Sequence, residues 1–241
     1  MDAAQRLTAL TAAVDAISAN GTNLAAEVEC PTCPGWTVED VVDHLGRVYL
    51  WTVEATRGTE RPSMGEREQG DLTLGEWYAD CGRRMLDRLR EADPAAECWT
   101  FDRDDRTVGF WIRRQLHETT VHWVDLARAH GIEAEISDHV ADDGIDELLH
   151  LFVPRRIEDP ENALPLPLQI RATDTGSVWW VQEADGVVSA GRGEEGESVA
   201  EIRGEAVELY LALWGRNSRE ALHVDGEAAP ARGFLAQQLC P

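Results

Sequence analysis

Residues 114–122 read Arg114-Gln115-Leu116-His117-Glu118-Thr119-Thr120-Val121-His122. The run looks like the zinc-protease pattern H-E-x-x-H, but that pattern needs two histidines four residues apart. Here His117 and His122 are five apart, which separates them by roughly 140° around a helix. Glu118 and His122 are four apart, about 40° around the helix, so their side chains can converge. A carboxylate and an imidazole make two ligands of a zinc site, and a third must come from elsewhere in the chain.

This stretch belongs to the last of four predicted helices in the first half of the chain. Apolar residues recur at helical spacing in each of them. Thr37 and Asp40 form a capping-box pattern at the start of the second helix, and Gly131 is a suitable cap for the fourth. Four helices of this length predict a four-helix bundle. The predicted helices cover residues 7–24, 38–51, 74–92 and 109–130.

His44 is the best candidate for a third ligand. It lies on one stripe of the second helix with Val41, Val48 and Trp51, the face that this helix should bury. His44 could instead be a core histidine that is hydrogen-bonded to a neighbour. Glu118 and His122 could instead form a solvated pair on the helix surface. Bundle cores, however, hold metals between facing helices with such ligands.

The second half of the chain has residue patterns typical of β-strands as well as helices. A helix is predicted over residues 136–155, then strands over 168–172, 177–182 and 187–190, with a hairpin turn at Asp185-Gly186. A strand at 201–204 leads into a helix at 206–214, and a short strand at 222–224 precedes a last helix at 234–239. The fold class is therefore α+β, with a helical bundle over residues 1–134 and a small α/β domain over 135–241.

Composition excludes several classes of function. The chain has 45 acidic and 22 basic residues and a net charge of -23, which argues against binding to nucleic acid or anionic membranes. Every basic residue is Arg, which excludes Schiff-base chemistry and a P-loop lysine. No apolar run approaches the ~18 residues of a membrane span, and residues 1–10 do not form a signal peptide, so we expect a cytoplasmic protein. The five cysteines are odd in number and irregularly spaced, which does not suggest a disulfide scaffold. Cys30-x-x-Cys33 is interpreted as structural or incidental.

Several short motifs together resemble the mycothiol-dependent maleylpyruvate isomerase family. In the first half they are Cys33-Pro34-Gly35-Trp36-Thr37-Val38, Asp40-Val41-Val42-Asp43-His44-Leu45, Glu118, Val121-His122 and Asp125. In the second half they are residues 141–148, 172–176 and 211–216. The resemblance implies a DinB-like four-helix bundle that binds zinc through His44, Glu118 and His122. It also implies mycothiol as the thiol cofactor, in preference to glutathione.

Three protein ligands leave an open position on zinc, which is typical of a catalytic site. A thiol bound there is held as thiolate, so the expected function is that of an isomerase or an S-transferase acting on a small electrophile.

Arg216 is the candidate catalytic residue, anchoring a carboxylate of substrate or cofactor, with a structural salt bridge as the alternative. His117 is expected at the surface or behind a ligand. Two other functions stay open: a metal or thiol sensor without turnover, and a zinc hydrolase. A monomer or a homodimer is expected.

Overall fold

The computed structural model describes residues 1–21, 25–67, 70–156, 167–184, 187–194 and 196–240. The chain divides into two compact units, Met1–Glu135 and Ile136–Pro241. Among the described residues, no helix has both the length and the apolar character that a bilayer span requires.

The first unit is a four-helix bundle, as the periodicity predicted. Its third helix contacts the first and the second, and its fourth helix contacts the same two, so the four close around one core. The helices are α1 (Ala3–Gly21), α2 (Val38–Ala55), α3 (Leu74–Glu91) and α4 (Val108–Ala129).

Local sequence signals set where these helices begin and end. The predicted capping box at α2 is present: Thr37 accepts from the backbone N–H of Asp40, and the Asp40 carboxylate accepts from the backbone N–H of Thr37. Thr73 and Glu76 form the same reciprocal pair at the start of α3. Gly131 follows α4 with a φ of +66°, a conformation that glycine adopts without steric cost.

Helix α4 is buried on most of its faces because α1 and α2 both pack against it. Trp111 and Leu116 lie in the core, as expected for apolar residues. His117 is also fully buried, with an exposed fraction of 0%. Of the two positions expected for His117, the surface position was therefore wrong, because α4 is packed on two sides and buries more than one stripe. A position behind a metal ligand stays a prediction.

The second unit is the predicted α/β part, and this confirms the α+β class. Its strands are β1 (Leu168–Ala172), β2 (Val178–Ala184), β3 (Val187–Arg192), β4 (Ala200–Gly204) and β5 (His223–Gly226). They form a five-stranded sheet of order β3-β2-β1-β4-β5, with β1 and β4 parallel and the other neighbours antiparallel. The turn predicted at Asp185-Gly186 lies outside the described residues. The helices are α5 (Asp138–Glu147), continued by a π turn (Leu148–Phe152) into α6 (Val153–Arg156), then α7 (Ala206–Leu213) and α8 (Ala228–Ala236).

Two predicted boundaries near the C-terminus were wrong. Helix α8 begins at Ala228, not at Phe234, because Pro230 falls in its first turn, where the missing N–H costs no hydrogen bond. Strand β5 runs from His223 to Gly226, two residues beyond the predicted end at Val224, and Gly226 pairs with Ala200 of β4.

Candidate metal centre

Three side chains from α2 and α4 converge on one point of the bundle. The Nε2 atom of His44 lies 2.8 Å from Oε1 of Glu118, and Nε2 of His122 lies 3.6 Å from the same oxygen. One ligand atom from each residue lies within 4.8 Å of the other two. The α4 spacing and the α2 stripe therefore bring the three sequence-predicted residues together.

The other ring nitrogen of His122 is held by a carboxylate. Nδ1 of His122 donates to Oδ2 of Asp125 at 2.8 Å, and Asp125 is fully buried. A carboxylate that holds one imidazole nitrogen fixes the tautomer and turns the other nitrogen toward a metal. Asp125 stands in the sequence motif that resembles the family, but sequence reasoning gave it no role. The spacing could have predicted this contact, because Asp125 lies one helical turn beyond His122 on the same helix.

The loop before α2 completes the environment of Asp125. The hydroxyl of Thr32 donates to Oδ1 of Asp125, and Sγ of Cys33 donates to Oδ2 at 3.1 Å. Gly35 in this loop has a φ of +84°, a value that glycine tolerates. The loop thereby reaches from the start of α2 to α4, and it fixes the carboxylate that orients His122.

An aromatic ring and a guanidinium frame the three side chains. Trp36 lies against both histidines, with ring centroids 5.1 Å from His44 and 6.1 Å from His122. Nη2 of Arg114 donates to Oε2 of Glu118 at 3.2 Å, so it binds the carboxylate oxygen that faces away from the histidines. Glu118 therefore presents Oε1 to both rings.

The charge states of these groups follow from their contacts. Burial lowers the pKa of His122, but hydrogen bonds to Asp125, Cys33 and Glu118 outweigh it and raise the pKa well above its usual range. Burial raises the pKa of Glu118, but hydrogen bonds from His122 and His44 and the charge of Arg114 bring it well below its usual range. The metal-free site thus holds an ionised carboxylate against an imidazolium, and a divalent cation can replace the proton.

The donor set fits zinc. Ligand bonds of about 2.1 Å in a tetrahedron place ligand atoms about 3.4 Å apart, close to the observed separations. A second group, Cys33, His122 and Asp125, also lies within metal-ligand distance. In that group, however, the carboxylate of Asp125 already accepts three hydrogen bonds. The donors are the hydroxyl of Thr32, the thiol of Cys33 and Nδ1 of His122. These contacts orient the ring of His122. The group formed by His44, Glu118 and His122 is therefore the better metal site.

One side of this group opens to solvent through a cavity of about 470 Å³ next to His44. The side chain of His44 is 31% exposed and that of Glu118 is 23% exposed, whereas that of His122 is 11% exposed. A small molecule can therefore approach the site from the α2 side. The cavity is lined by Gly35, Trp36, Glu39, Asp40, Asp43, His44, Arg47 and Arg67.

Arg216, the sequence-predicted catalytic residue, lies in the second unit just after α7. Its Nη1 donates to the carbonyl of Trp214 at 2.9 Å, and its side chain is half-buried. This contact belongs to the end of the helix, and the role of Arg216 toward a carboxylate stays a prediction.

All five cysteines are free thiols. Burial raises the pKa of three of them, to about 11 for Cys30 and Cys98 and to about 12 for Cys81. Thiols of this kind are poor nucleophiles near neutral pH. Cys33 and Cys240 are half-buried.

Comparisons with known proteins agree with this architecture. The family model described as "Mycothiol maleylpyruvate isomerase N-terminal domain" matches residues 2–127, and that of the "MDMPI C-terminal domain" matches residues 139–232. Among solved structures, the chain is similar to a mycothiol-dependent maleylpyruvate isomerase, with a TM-score of 0.65, 16% identity and coverage of 95% of this chain and 96% of that one. A histidine-to-alanine mutant of that isomerase gives a TM-score of 0.67 at 14% identity, with the same coverage. No curated protein sequence matches the chain. At these identities the structural likeness shows a shared fold.

Proposed function

The chain belongs to the mycothiol-dependent maleylpyruvate isomerase family, and from this premise we propose a zinc-dependent enzyme that uses a small thiol on an electrophile. Its reaction is an isomerisation or an S-transfer, with mycothiol as the thiol. The family membership makes it an isomerase-like enzyme, and the zinc, the ligands and the substrate are parts of this proposal.

One observation carries the proposal. His44, Glu118 and His122 present three donor atoms to one point, and a buried Asp125 fixes the ring of His122. Without an ion, Nε2 of His44 and Nε2 of His122 both face the same carboxylate oxygen, Oε1 of Glu118. A shared cation satisfies all three, and three protein ligands leave a position for an incoming group.

Each residue has a separate task. His44 and His122 supply neutral nitrogens, and Glu118 supplies the negative charge. Arg114 holds the second oxygen of Glu118, which favours binding of the metal through a single carboxylate oxygen. Zinc, when bound, supplies a Lewis acid that holds a thiol as thiolate near neutral pH.

A bound thiol supplies the nucleophile for addition to a conjugated double bond. Rotation about the former double bond and expulsion of the thiolate would complete an isomerisation. In an S-transfer, the proton given up by the thiol would be returned to the carbon next to the new C–S bond before the adduct leaves. We also propose Arg216, in the second unit, as a residue that binds a carboxylate. The free cysteines suit a reducing cytoplasm.

The first experiment measures zinc content in purified variants. We expect His44→Ala and His122→Ala to lose bound zinc while the helical signal persists, because the remaining core is large and apolar. Glu118→Gln should bind zinc more weakly with little change in shape. His139→Ala is the matched control, since His139 is exposed. His117 is a poor control because it is fully buried. Full zinc retention in both ligand variants would refute the site.

The second experiment separates the functions by their requirement for a thiol. The zinc-loaded protein is assayed on a conjugated electrophile with mycothiol, with glutathione and without a thiol. Turnover that needs mycothiol supports the proposal, and equal rates with glutathione contradict the assignment of the cofactor. Turnover with water alone indicates a hydrolase, and thiol binding without turnover indicates a sensor.

A further inference from the structure

A larger cavity adjoins the one next to His44. It lies between α2, α3 and the segment that joins them, and its volume is about 920 Å³. Glu39 and Arg67 line both cavities, and the larger one continues along the outer face of α2 as far as Glu54. We call the larger cavity the α2–α3 cleft. The candidate metal site therefore opens into a space that can hold a ligand much larger than a simple electrophile.

Two indole rings form part of the wall of the α2–α3 cleft. Trp77 of α3 is half-buried, and its ring packs so close to Gly46 that a Cβ atom there would lie 2.3 Å from it. Trp51 of α2 is also half-buried, and its Nε1 donates to the carbonyl of Pro62 at 2.9 Å. Both indoles are thus held in position by the protein itself. The negative face of a fixed indole attracts polarised C–H groups, which sugar and cyclitol rings present.

The charged groups that line the α2–α3 cleft are paired with one another or with their neighbours. Each of its four carboxylates lies within 3.9 Å of an arginine nitrogen. A paired carboxylate keeps free lone pairs, so it still accepts hydrogen bonds from hydroxyl groups. A neutral ligand rich in hydroxyl groups can therefore bind here without breaking an ion pair. The carboxylates are those of Glu39, Glu54, Glu66 and Asp80.

One donor of Arg67, which lines both cavities, has no partner. Nη2 of Arg67 lies 2.9 Å from Glu39, and its Nε lies 3.4 Å from Asp43. Its guanidinium lies over the ring of Trp77, 5.7 Å from the centroid, which fixes its position further. Its Nη1 forms no hydrogen bond with any residue that the structure describes. An oxygen atom of a ligand that spans the two cavities would satisfy this donor.

From these observations we infer that the α2–α3 cleft binds the polyhydroxylated part of the thiol cofactor, an inference that rests on the proposed function. Mycothiol carries its cysteine on an amino sugar that is linked in turn to inositol, so most of the molecule is an uncharged polyol. With its sulfur beside His44, its amide carbonyl accepts from Nη1 of Arg67, and its rings lie against Trp51 and Trp77. The cleft then distinguishes this thiol from others by the part that does not react.

The first measurement uses the two halves of mycothiol separately. N-acetylglucosaminyl inositol, the glycoside, has an acetyl group in place of the cysteinyl group, so its binding requires neither metal nor turnover. Calorimetry and tryptophan fluorescence measure that binding in protein with and without zinc, and we expect it in both. N-acetylcysteinamide is a neutral thiol without the rings. With zinc-loaded protein its kcat/KM should be about tenfold or more below that of mycothiol, because the contacts of the rings are missing.

Two variants test whether the rings lie in the α2–α3 cleft. Ser63 is exposed and lines the cleft, so Ser63→Trp fills part of it, whereas Met64→Trp adds the same bulk at an exposed neighbour outside the lining. Arg67→Gln removes the Nη1 donor, and Arg61→Gln is its control at an exposed position of the same segment. We expect Ser63→Trp and Arg67→Gln each to weaken binding of the glycoside about tenfold, and both controls to keep it within about twofold.

Three results overturn the inference. The first is absence of glycoside binding to the unmodified protein, and the second is unchanged binding in both folded Ser63→Trp and Arg67→Gln proteins. The third is an equal kcat/KM for mycothiol and N-acetylcysteinamide, which leaves a zinc- and thiol-dependent enzyme standing. Binding of the glycoside without turnover by any thiol refutes the proposed enzyme instead, and supports the cleft as a polyol site.

Discussion

Replacing Asp125 by Asn tests how His122 is prepared for a metal. Two oxygens of Asp125 accept three hydrogen bonds, from Thr32, Cys33 and Nδ1 of His122. The amide of Asn keeps the size of the side chain but turns one acceptor into a donor. If its NH₂ faces His122, Nδ1 must become an acceptor, and the ring proton moves to Nε2, the atom a metal needs. If the amide is flipped, its NH₂ faces Thr32, and that hydroxyl must rotate to keep a partner.

The size of the effect follows from these contacts. Loss of an orienting partner of a metal-bound histidine typically weakens metal binding by about 10–100-fold, or about 1.4–2.7 kcal/mol. Because Asp125 is fully buried, the metal-free fold should also lose about 1–3 kcal/mol of stability. Zinc affinity should therefore fall, although no ligand has been removed.

Zinc affinity is measured by competition with a chelator of known affinity, and folding by thermal unfolding without metal. Asp225→Asn is the matched control, since Asp225 makes a 3.1 Å contact with His223 in an exposed pair of the second unit. That variant should keep its zinc affinity. Unchanged zinc affinity in folded Asp125→Asn would refute the reasoning that Asp125 sets the tautomer of His122.

Three further predictions concern pH, stability and thiol reactivity. In metal-free protein the raised pKa of His122 stabilises the fold fully below about pH 6.5, and this stabilisation is lost as the pH rises through the pKa of the folded state. Over that pH range the free energy of unfolding should therefore decline, and the apparent affinity for zinc should rise. A free energy of unfolding and a zinc affinity that do not change with pH would contradict this prediction. Arg219→Gln should lower the free energy of urea unfolding by about 2–4 kcal/mol, because the half-buried guanidinium donates to four carbonyl groups. Arg232→Gln, which loses one exposed hydrogen bond, should change it by under about 1 kcal/mol. A thiol reagent at pH 8 should label at most the two half-buried cysteines of the folded protein and all five after unfolding; rapid native labelling of a buried thiol would contradict the raised pKa values.

The sequence predicted the parts of the site that depend on local periodicity. The spacing of Glu118 and His122 on one helix brings their side chains together, and the stripe on α2 turns His44 toward them. The capping box at Thr37 was also predictable, because its two partners are three residues apart.

The remaining features depend on contacts between distant segments. Cys33 and Asp125 are 92 residues apart, and no local rule predicts that the loop before α2 reaches α4. The burial of His117 was missed because it depends on α1 as well as α2 packing against α4. The ion pairs of Arg67 with Glu39 and Asp43 were missed for the same reason, since Arg67 reaches α2 from the following segment.

X-ray absorption at the zinc edge, recorded with and without mycothiol, identifies the ligands of the metal. We expect zinc-loaded protein to have only nitrogen and oxygen ligands at about 2.0–2.2 Å, and mycothiol to add one sulfur at about 2.3 Å. A sulfur ligand before mycothiol is added would place the ion at Cys33 instead of between His44, Glu118 and His122. No added sulfur at saturating mycothiol would contradict a thiol that reacts on the metal.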